Sequence, residues 1–471
     1  MRVLSDVVPT PEQLRIVSDS RAGVRIIRGA AGSGKTTSAL LRLKALLGFY
    51  ARRVQREESP RPVRALVLTY NKTLRGYIRE LARAQKAQFP SHPIQLNVTT
   101  FGKWAKDLSG DNRTVITDRS REAVIARLGA GVPLANDFLV GEVDYLLGRF
   151  SPSDLDDYLD CERTGRGTSP RVERQVRNQI LNEIVRPYKD YLRANGLIDW
   201  HDLAVGMQRL EPTLDYDIVI VDETQDFSAN QLRAIIRHVH EDGSLTFILD
   251  TAQRIYARGF TWSGDVGVTI RSDQVYKLER NYRNTRQIAQ FALPIIQGVP
   301  LDADGAMPDF SACDRDGPKP IVLVGKFSRQ CRYIIDFIKR NVDLENQSVG
   351  ILHPRGGDWF EETRRQLDAN GLEYVELTRQ EEWPTGPVNI GLSTLHSAKG
   401  LEFDHVIMIG LNAEVLSHGP EEQDDRLSTL RRLLAMGVGR AKRQVIIGYK
   451  DEDRSPLIDY FAPGTFDEVR V

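Results

Sequence analysis

The residues best suited to chemistry in this sequence form a glycine-rich segment, GAAGSGKT, which runs from Gly29 to Thr36. It follows the apolar run Val24–Arg28 and precedes a helical stretch, which is the setting of a phosphate-binding P-loop. Such a loop surrounds the β-phosphate with backbone N–H groups at the positive end of a helix. Lys35 would add a charge to the β- and γ-phosphates, and Thr36 would add a hydroxyl group to Mg²⁺. The pattern therefore predicts binding of ATP with Mg²⁺, and its context disfavours a merely structural glycine turn. The predicted nucleotide contacts in this segment are Gly29, Gly32, Ser33, Gly34, Lys35, Thr36 and Thr37.

An acidic pair, Asp222 and Glu223, follows the apolar run Ile218–Val221. A strand that ends on two acids places both carboxylates at the edge of a nucleotide cleft. Asp222 would then hold hydrated Mg²⁺, and Glu223 would orient and deprotonate the attacking water. Two solvated acids at a strand end are the alternative, and the presence of a P-loop pattern makes that alternative the weaker one.

Three further polar residues are weaker signals when each is taken alone. Gln13 follows Pro11 ahead of the first strand, where its amide could read the edge of an adenine. Arg283 and Arg440 lie in the second half of the chain, and two-lobed motors place such arginines across the cleft from the γ-phosphate. The alternatives are a helix-start glutamine and surface arginines that compensate a helix dipole.

The elements that must position these residues alternate between strands and helices, which predicts an α/β fold of parallel sheets with helices on both faces. The alternation stops in a helical block from about Lys103 to Asn195, resumes at Asp217–Val221, and continues in a second series that begins at Val275–Leu278. We therefore expect one sheet domain interrupted by a helical insertion, followed by a second sheet domain. The predicted bounds are 1–104 and 200–272 for the first sheet domain, 105–199 for the insertion, and 273–471 for the second sheet domain.

The bulk composition limits the cellular setting and the kind of binding surface. The chain of 471 residues has 64 Lys and Arg against 64 Asp and Glu, so any site for a polyanion must be a local basic channel. The three cysteines form no CxxC pair, and we expect buried or incidental thiols in a reducing compartment. The N-terminal residues lack the layout of a signal peptide, and no apolar run approaches the ~20 residues that span a bilayer. These features predict a cytoplasmic protein.

Six motif-like segments follow one another along the chain. They are GAAGSGKTT from Gly29, VDETQD from Val221, DTAQRIY from Asp250, LERNYR from Leu278, STLHSAKGLEF from Ser393 and GVGRAK from Gly437. Their order resembles that of superfamily 1 helicases of the UvrD/Rep/PcrA type, and the resemblance extends from Pro9 to about Tyr449. It implies a motor of two RecA-like P-loop domains that hydrolyses ATP with Mg²⁺ and moves 3′ to 5′ on single-stranded DNA.

The resemblance also implies roles for residues outside the P-loop. Gln253 would sense the γ-phosphate, and Arg283 and Arg440 would form the arginine pair of the second lobe. Tyr282 would stack on the adenine. Glu402 would meet the ribose or couple the cleft to DNA.

A motor that grips one strand needs stacking platforms and phosphate contacts. The predicted strand contacts, taken from motif position, are Tyr70, Asn71, Lys72, Phe101, Trp104, Tyr256, Trp262, Thr394 and His396. Each aromatic side chain would stack a base, worth ~1–3 kcal/mol, although Phe101 and Trp104 are equally consistent with core positions. Two segments depart from the family pattern, since Leu68–Lys72 shifts the aromatic residue by one place and Ala257–Trp262 lacks the usual Trp-Arg-Gly.

A further departure concerns the second lobe, which in the family usually carries a large helical accessory domain ahead of the His-Ser-Ala-Lys-Gly segment. Only a short linker separates Tyr374 from Ser393 here, so there is no room for a folded domain. We therefore expect a compact form of the family, in which a separate protein partner supplies strand separation or regulation.

The favoured function is an ATP-dependent single-stranded DNA translocase or helicase that moves 3′ to 5′. The alternative is a DNA-stimulated regulatory ATPase subunit of a repair or antiviral defence complex with little autonomous unwinding. A helicase-nuclease is disfavoured because no late Asp/Glu-x-Lys cluster follows an apolar strand. A nucleotide kinase would not explain the order of Gln253, Arg283 and Arg440.

Overall fold

The computed structural model of the chain describes residues 9–29, 33–57, 61–69, 79, 93–163, 171–211, 215–249, 260–278, 284–299, 313, 315–378, 384, 386–399, 401–418 and 424–471. The helices are α1 Pro11–Ser18, α2 Lys35–Val54, α3 Phe101–Ser109, α4 Asp118–Leu128, α5 Asn136–Arg149, α6 Arg174–Gln179, α7 Arg186–Ala194, α8 Trp200–Arg209, α9 Ala229–Arg237, α10 Arg286–Ile296, α11 Phe327–Asn341, α12 Glu361–Ala369 and α13 Asp425–Val438. The strands are β1 Gly23–Gly29, β2 Val63–Thr69, β3 Ile94–Thr100, β4 Thr114–Val115, β5 Leu197–Ile198, β6 Tyr216–Val221, β7 Val239–Leu249, β8 Val275–Leu278, β9 Ile321–Val324, β10 Val349–His353, β11 Val375–Glu376, β12 Ile390–Thr394, β13 Phe403–Met408, β14 Ala441–Tyr449 and β15 Asp467–Arg470.

The first sheet has six strands in the order β3-β2-β6-β7-β1-β8, and every neighbouring pair is parallel. Its strands are apolar on both faces because helices cover both. In β6, Ile218 and Ile220 face the cluster that contains Leu43 of α2, whereas Val219 and Val221 face the cluster around α9. Since the strands run in one direction, the carboxyl ends of β1, β2, β3 and β6 share one edge of the sheet.

The edge strand β8 corrects one prediction. We expected Val275–Leu278 to begin the second sheet domain, but this strand pairs with β1, with Val275 opposite Ile26. The apolar pattern identified a strand correctly but carries no information about the sheet that the strand joins.

Helices α4 to α7 form the predicted helical insertion between β4 and β5, which pair with each other in parallel. A π-helical segment, Ile180–Val185, joins α6 to α7, and the insertion has its own apolar core. Asn230 of α9 ties the insertion to the first sheet by donating hydrogen bonds to the carbonyl groups of Leu147 and Phe150. The predicted insertion bounds, 105–199, stay a prediction.

In the described part of the chain, no single helix is long and apolar enough to cross a membrane. One pair of helical segments, 118–131 and 136–149, reaches that length and hydropathy only when the two are counted together, and they meet at a bend of 106°.

The second sheet has seven strands in the order β11-β12-β10-β13-β14-β9-β15, again parallel throughout. The two sheets with their helices confirm the predicted α/β class. Neighbours β11 and β12 are connected by residues 377–389. The amino ends of β13 and β14 lie together because Phe403 is paired with Ala441, and this brings Glu402 and Arg440 to one edge of the sheet.

Two histidines of the second sheet, His353 of β10 and His405 of β13, are buried. Burial, together with the Arg355 charge, lowers the pKa of His353 to about 4. Burial also lowers the pKa of His405 to about 4. Both imidazoles therefore stay neutral in the folded protein at pH values where the unfolded chain binds protons.

We expect the free energy of unfolding to decrease as the pH falls from about 6.5 towards 4, because the unfolded chain binds more protons than the folded protein in that window. His353→Asn keeps an acceptor for the N–H groups of Arg355 and Gly356 but cannot titrate. Denaturant unfolding measures the free energy of unfolding at about pH 7 and at about pH 5. Between these pH values it should decrease by roughly 2 kcal/mol less in the variant than in the wild type. Equal losses for the two proteins would show that His353 does not contribute to the acid sensitivity.

Candidate nucleotide site and strand-binding face

The N-terminal helix α1 is fastened to the P-loop through Gln13. Thr10 caps the helix, with a reciprocal hydrogen bond between Gln13 and the Thr10 backbone. The buried Gln13 side chain also donates to the carbonyl of Gly34 at 3.4 Å. Gly34 has a φ of +77°, which favours glycine, and a Cβ at this position would lie 2.7 Å from Gln13 Nε2. Glycine is therefore needed here both for the backbone conformation and for the close approach of the Gln13 side chain. Gln13 therefore lies beside the described end of the loop, and its contact with an adenine stays a prediction.

The P-loop connects β1 to α2 at the carboxyl edge of the first sheet. Helix α2 begins at Lys35, so its unpaired N–H groups face the loop. Lys35 Nζ donates to the Gly29 carbonyl at 2.7 Å. Ser33 is buried, and Thr36 and Thr37 are half-buried on the first turn of α2. The start of α2 at Lys35 thus leaves helix N–H groups at this end of the loop where an anion could bind.

Asp222 and Glu223 lie at the carboxyl end of β6, beside the start of α2. Thr36 Oγ1 donates to Asp222 Oδ2 at 3.1 Å, and the Glu223 N–H donates to Asp222 Oδ1 at 2.9 Å. Glu223 has a φ of +54° and is the one non-glycine residue in the described ranges with a positive φ. Such backbone costs about 1–3 kcal/mol and tends to occur at functional sites. The hydroxyl–carboxylate pair and the strained glutamate fit the predicted metal and water sites.

The two carboxyl groups have opposite electrostatic environments. Burial, followed by the charge of Glu223, raises the pKa of Asp222 to about 7. Burial acts in the same direction on Glu223, but the charges of Lys399, Arg440 and Lys35 outweigh it and lower the pKa of Glu223. Two neighbouring acids with pKa values moved apart can take different chemical roles, and Glu223 is the one held as a carboxylate.

Arg440 reaches the same cleft from the second sheet. It is buried, its charge acts on Glu223, and its backbone carbonyl accepts from the Phe403 N–H at 3.0 Å. Asn284 holds this segment by donating to the carbonyl groups of Gly439 and Ala441. Glu402 lies alongside and pairs with Lys442 at 3.1 Å.

Lys399 is a residue of the cleft to which we gave no role from the sequence. It is 2% exposed, its ammonium group lies 3.3 Å from Glu223 Oε2, and it forms a second ion pair with buried Asp226. A buried lysine almost always has an acidic partner, but the sequence alone does not show that Lys399 is buried.

Phe101 and Trp104 are wrong as predicted base-stacking residues. Their side chains are 4% and 2% exposed and pack in the core of the first sheet, where Trp104 Nε1 donates to the Tyr216 hydroxyl. A ring with so little exposed surface cannot stack on a base. Trp200 is an exposed aromatic side chain beside this helix: it is 44% exposed, and its six-membered ring packs against Gly102, where a Cβ would lie 2.7 Å from the ring.

The other predicted strand contacts divide between two places. Trp262 is half-buried against Phe247 and Phe260, with ring centroids 4.9 and 5.2 Å away. Thr394, the last residue of β12, and His396, in the turn that follows, are both half-buried. Eight predicted site residues lie outside the described residues, namely Gly32, Tyr70, Asn71, Lys72, Gln253, Tyr256, Tyr282 and Arg283.

A parallel sheet with a glycine loop, a helix start and two strand-end carboxylates on one edge defines a P-loop nucleoside triphosphatase fold. A family model described as an AAA domain matches residues 13–258, and one described as a UvrD-like helicase C-terminal domain matches residues 369–452. The chain belongs to the UvrD/Rep-type superfamily 1 helicases, as the resemblance predicted.

Individual relatives match at different lengths. The chain is 22% identical over 461 residues to a probable DNA helicase of Mycoplasma pneumoniae, which covers 89% of this chain and 79% of that protein. It is 41% identical over 66 residues to DNA helicase II of Haemophilus influenzae, a match that spans 14% of this chain and only 9% of the relative. Among solved structures, the chain is similar to the C-terminal domain of a possible DNA helicase from Lactobacillus plantarun WCFS1, with 23% sequence identity. The match covers 40% of this chain and 98% of the solved domain, with a TM-score of 0.30.

Proposed function

We propose that this protein hydrolyses ATP to move 3′ to 5′ along single-stranded DNA, and that this movement can separate strands. The observation that carries the proposal is the position of Glu223 at the edge of the first sheet. Its backbone is strained, and its carboxylate is under the charge of cations from both sheets. A carboxylate in this position can respond to the approach of the second sheet, which is what a motor needs from its hydrolytic base.

In the hydrolytic step that we propose, the oxygen of a water attacks the γ-phosphorus of ATP, the bond to the β–γ bridging oxygen breaks, and ADP leaves. Glu223 accepts the proton of the water. Lys35 from the P-loop and Arg440 from the second sheet offset the negative charge on the transferring phosphoryl group.

Thr36 and Asp222 would hold Mg²⁺, because a hydroxyl and a carboxylate are oxygen ligands of the kind that this ion accepts while it keeps several waters. The bound ion would neutralise charge on the β- and γ-phosphate oxygens. We assign the remaining nucleotide contacts as the family pattern suggests: Gln13 and Tyr282 for the adenine, Gln253 and Arg283 for the γ-phosphate, and Glu402 for the ribose.

We propose that single-stranded DNA runs along the edge of the cleft, where the second sheet carries Thr394 and His396. Trp200 replaces Phe101 and Trp104 as the aromatic contact next to β3, because its side chain is 44% exposed and packs against Gly102. Tyr70, Asn71, Lys72, Tyr256 and Trp262 complete the proposed contacts.

We also propose that a protein partner supplies strand separation or regulation. Support comes from the short connection between β11 and β12, residues 377–389, where larger relatives would need space for an accessory domain. Efficient unwinding of a blunt-flanked duplex by the chain alone, at stoichiometric concentration, would contradict this part of the proposal.

The function is tested by titrating the ATPase rate with single-stranded DNA, single-stranded RNA and duplex DNA. We expect single-stranded DNA to stimulate hydrolysis most, with a rate that increases with strand length as for a moving enzyme. Displacement of a protein block from the 5′ end but not from the 3′ end would establish the 3′ to 5′ direction. Hydrolysis that no strand stimulates would contradict the motor function.

A further inference from the structure

Lys399 connects the two sheets at the residue that we assign as the hydrolytic base. It lies in the turn that follows β12 of the second sheet, whereas its partners Glu223 and Asp226 follow β6 of the first sheet. All three side chains are buried, with exposed fractions of 2%, 6% and 0%. A buried ion pair that crosses between sheets depends on how those sheets are placed, unlike a pair within one sheet.

Among the described residues, the contacts of the Glu223 carboxylate involve one of its oxygens, Oε2. Gln225 Nε2 donates to Oε2 at 2.5 Å, and the ammonium group of Lys399 lies 3.3 Å from the same oxygen. Within the described residues, no hydrogen bond or ion pair is made by Glu223 Oε1. Holding Oε2 from two directions restricts rotation of the carboxylate and leaves Oε1 as the oxygen that would accept the proton of the attacking water in our proposal.

The turn that carries Lys399 also carries two of the proposed strand contacts. Thr394 Oγ1 accepts from the Ser397 N–H at 3.1 Å, and the Thr394 carbonyl accepts from the Ala398 N–H at 2.9 Å. The Lys399 N–H donates in turn to the His396 carbonyl. Residues 394–399 therefore form one compact hydrogen-bonded turn, so a displacement of Thr394 or His396 is transmitted to Lys399.

We propose that Lys399 is a positioning residue that aligns Glu223 for attack by water and makes this alignment depend on strand contact at residues 394–396. This inference rests on the proposed function and names how that function is regulated. Lys399 need not touch ATP or the strand, since it acts through Oε2 of Glu223. Asp226 keeps the ammonium group in place by providing a second buried carboxylate.

The test compares steady-state ATP hydrolysis of the wild type, Lys399→Met and Lys399→Arg, each with and without saturating single-stranded DNA. For Lys399→Met we expect kcat with DNA to fall by about 10- to 100-fold, as for other losses of orientation, while KM for ATP changes by less than about threefold. The ratio of the stimulated rate to the basal rate should fall towards one. Lys399→Arg retains a cation and should recover most of that ratio.

Arg163→Met is the matched control, because Arg163 also pairs with a buried carboxylate, Glu142 at 2.9 Å, but within the helical insertion. It should lower stability and leave both kcat and the stimulation ratio unchanged. Lys399→Met leaves two buried carboxylates without their shared cation, which lowers local stability. The double variant Lys399→Met/Asp226→Asn removes one of these charges and should still show low kcat.

The outcomes separate this inference from the function on which it rests. A wild-type protein that no strand stimulates contradicts the proposed function itself. A stimulated wild type together with a folded double variant that has normal kcat and a normal stimulation ratio overturns the role of Lys399 alone.

Discussion

Replacing Glu223 with glutamine should reduce the kcat for ATP hydrolysis by about 10²- to 10⁴-fold, which is the usual contribution of a positioned general base. The amide has nearly the same shape as the carboxylate but cannot accept the proton of the attacking water. Nucleotide affinity should change little, because Lys35 and the P-loop make the phosphate contacts in our proposal. Hydrolysis is measured by phosphate release, and affinity is measured by titration with a fluorescent ATP analogue.

Glu142→Gln provides the control for this substitution. Glu142 is a fully buried glutamate that pairs with Arg163 and accepts from the Tyr158 hydroxyl, far along the chain from the cleft. This variant should be less stable than the wild type but should keep its kcat. If Glu223→Gln retains hydrolysis within a few-fold, another group activates the water; if it fails to fold while Glu142→Gln folds, Glu223 has a structural role instead.

The nucleotide side of the cleft could be predicted from the sequence because its signals are local. The GAAGSGKT segment and the Asp222–Glu223 pair each combine an apolar strand with chemistry at its carboxyl end, and a parallel sheet necessarily brings such ends together. The alternation of strands and helices likewise predicted two parallel sheets and an insertion. These features depend on periodicity and order, which one sequence contains.

What could not be predicted depends on contacts between distant residues. Phe101 and Trp104 follow a β-strand, as residues that contact DNA would. A motif position does not say whether a ring points inward, and here Trp104 is hydrogen-bonded to Tyr216. Trp200 packs against Gly102, which belongs to a helix distant in the sequence. Lys399 pairs with Asp226 across 173 positions of the chain, and no local pattern encodes such a contact.

In our proposal Arg440 makes hydrolysis depend on both sheets, so its replacement should have an effect as large as that of Glu223→Gln. An arginine that stabilises the charge of a transferring phosphoryl group contributes about 10³- to 10⁵-fold in kcat. Arg440 is 3% exposed, directly precedes β14, and its charge acts on Glu223 across the cleft. We therefore expect Arg440→Ala to reduce kcat by about 10³-fold or more, and Arg440→Lys to restore little because lysine lacks the planar fork of donors.

Arg431→Ala distinguishes this role from simple loss of a buried arginine. Arg431 is 4% exposed on the same helix–strand unit, but it donates to the backbone carbonyl groups of Ile295 and Gln297 and stacks 3.8 Å from the centroid of Tyr460. Both alanine variants should lower the unfolding temperature, whereas only Arg440→Ala should lower kcat at a temperature where both are folded. Equal kcat values for the two variants would mean that Arg440 contributes no charge to the transition state. Any dependence of hydrolysis on the second sheet would then have to act through Lys399 and Glu223.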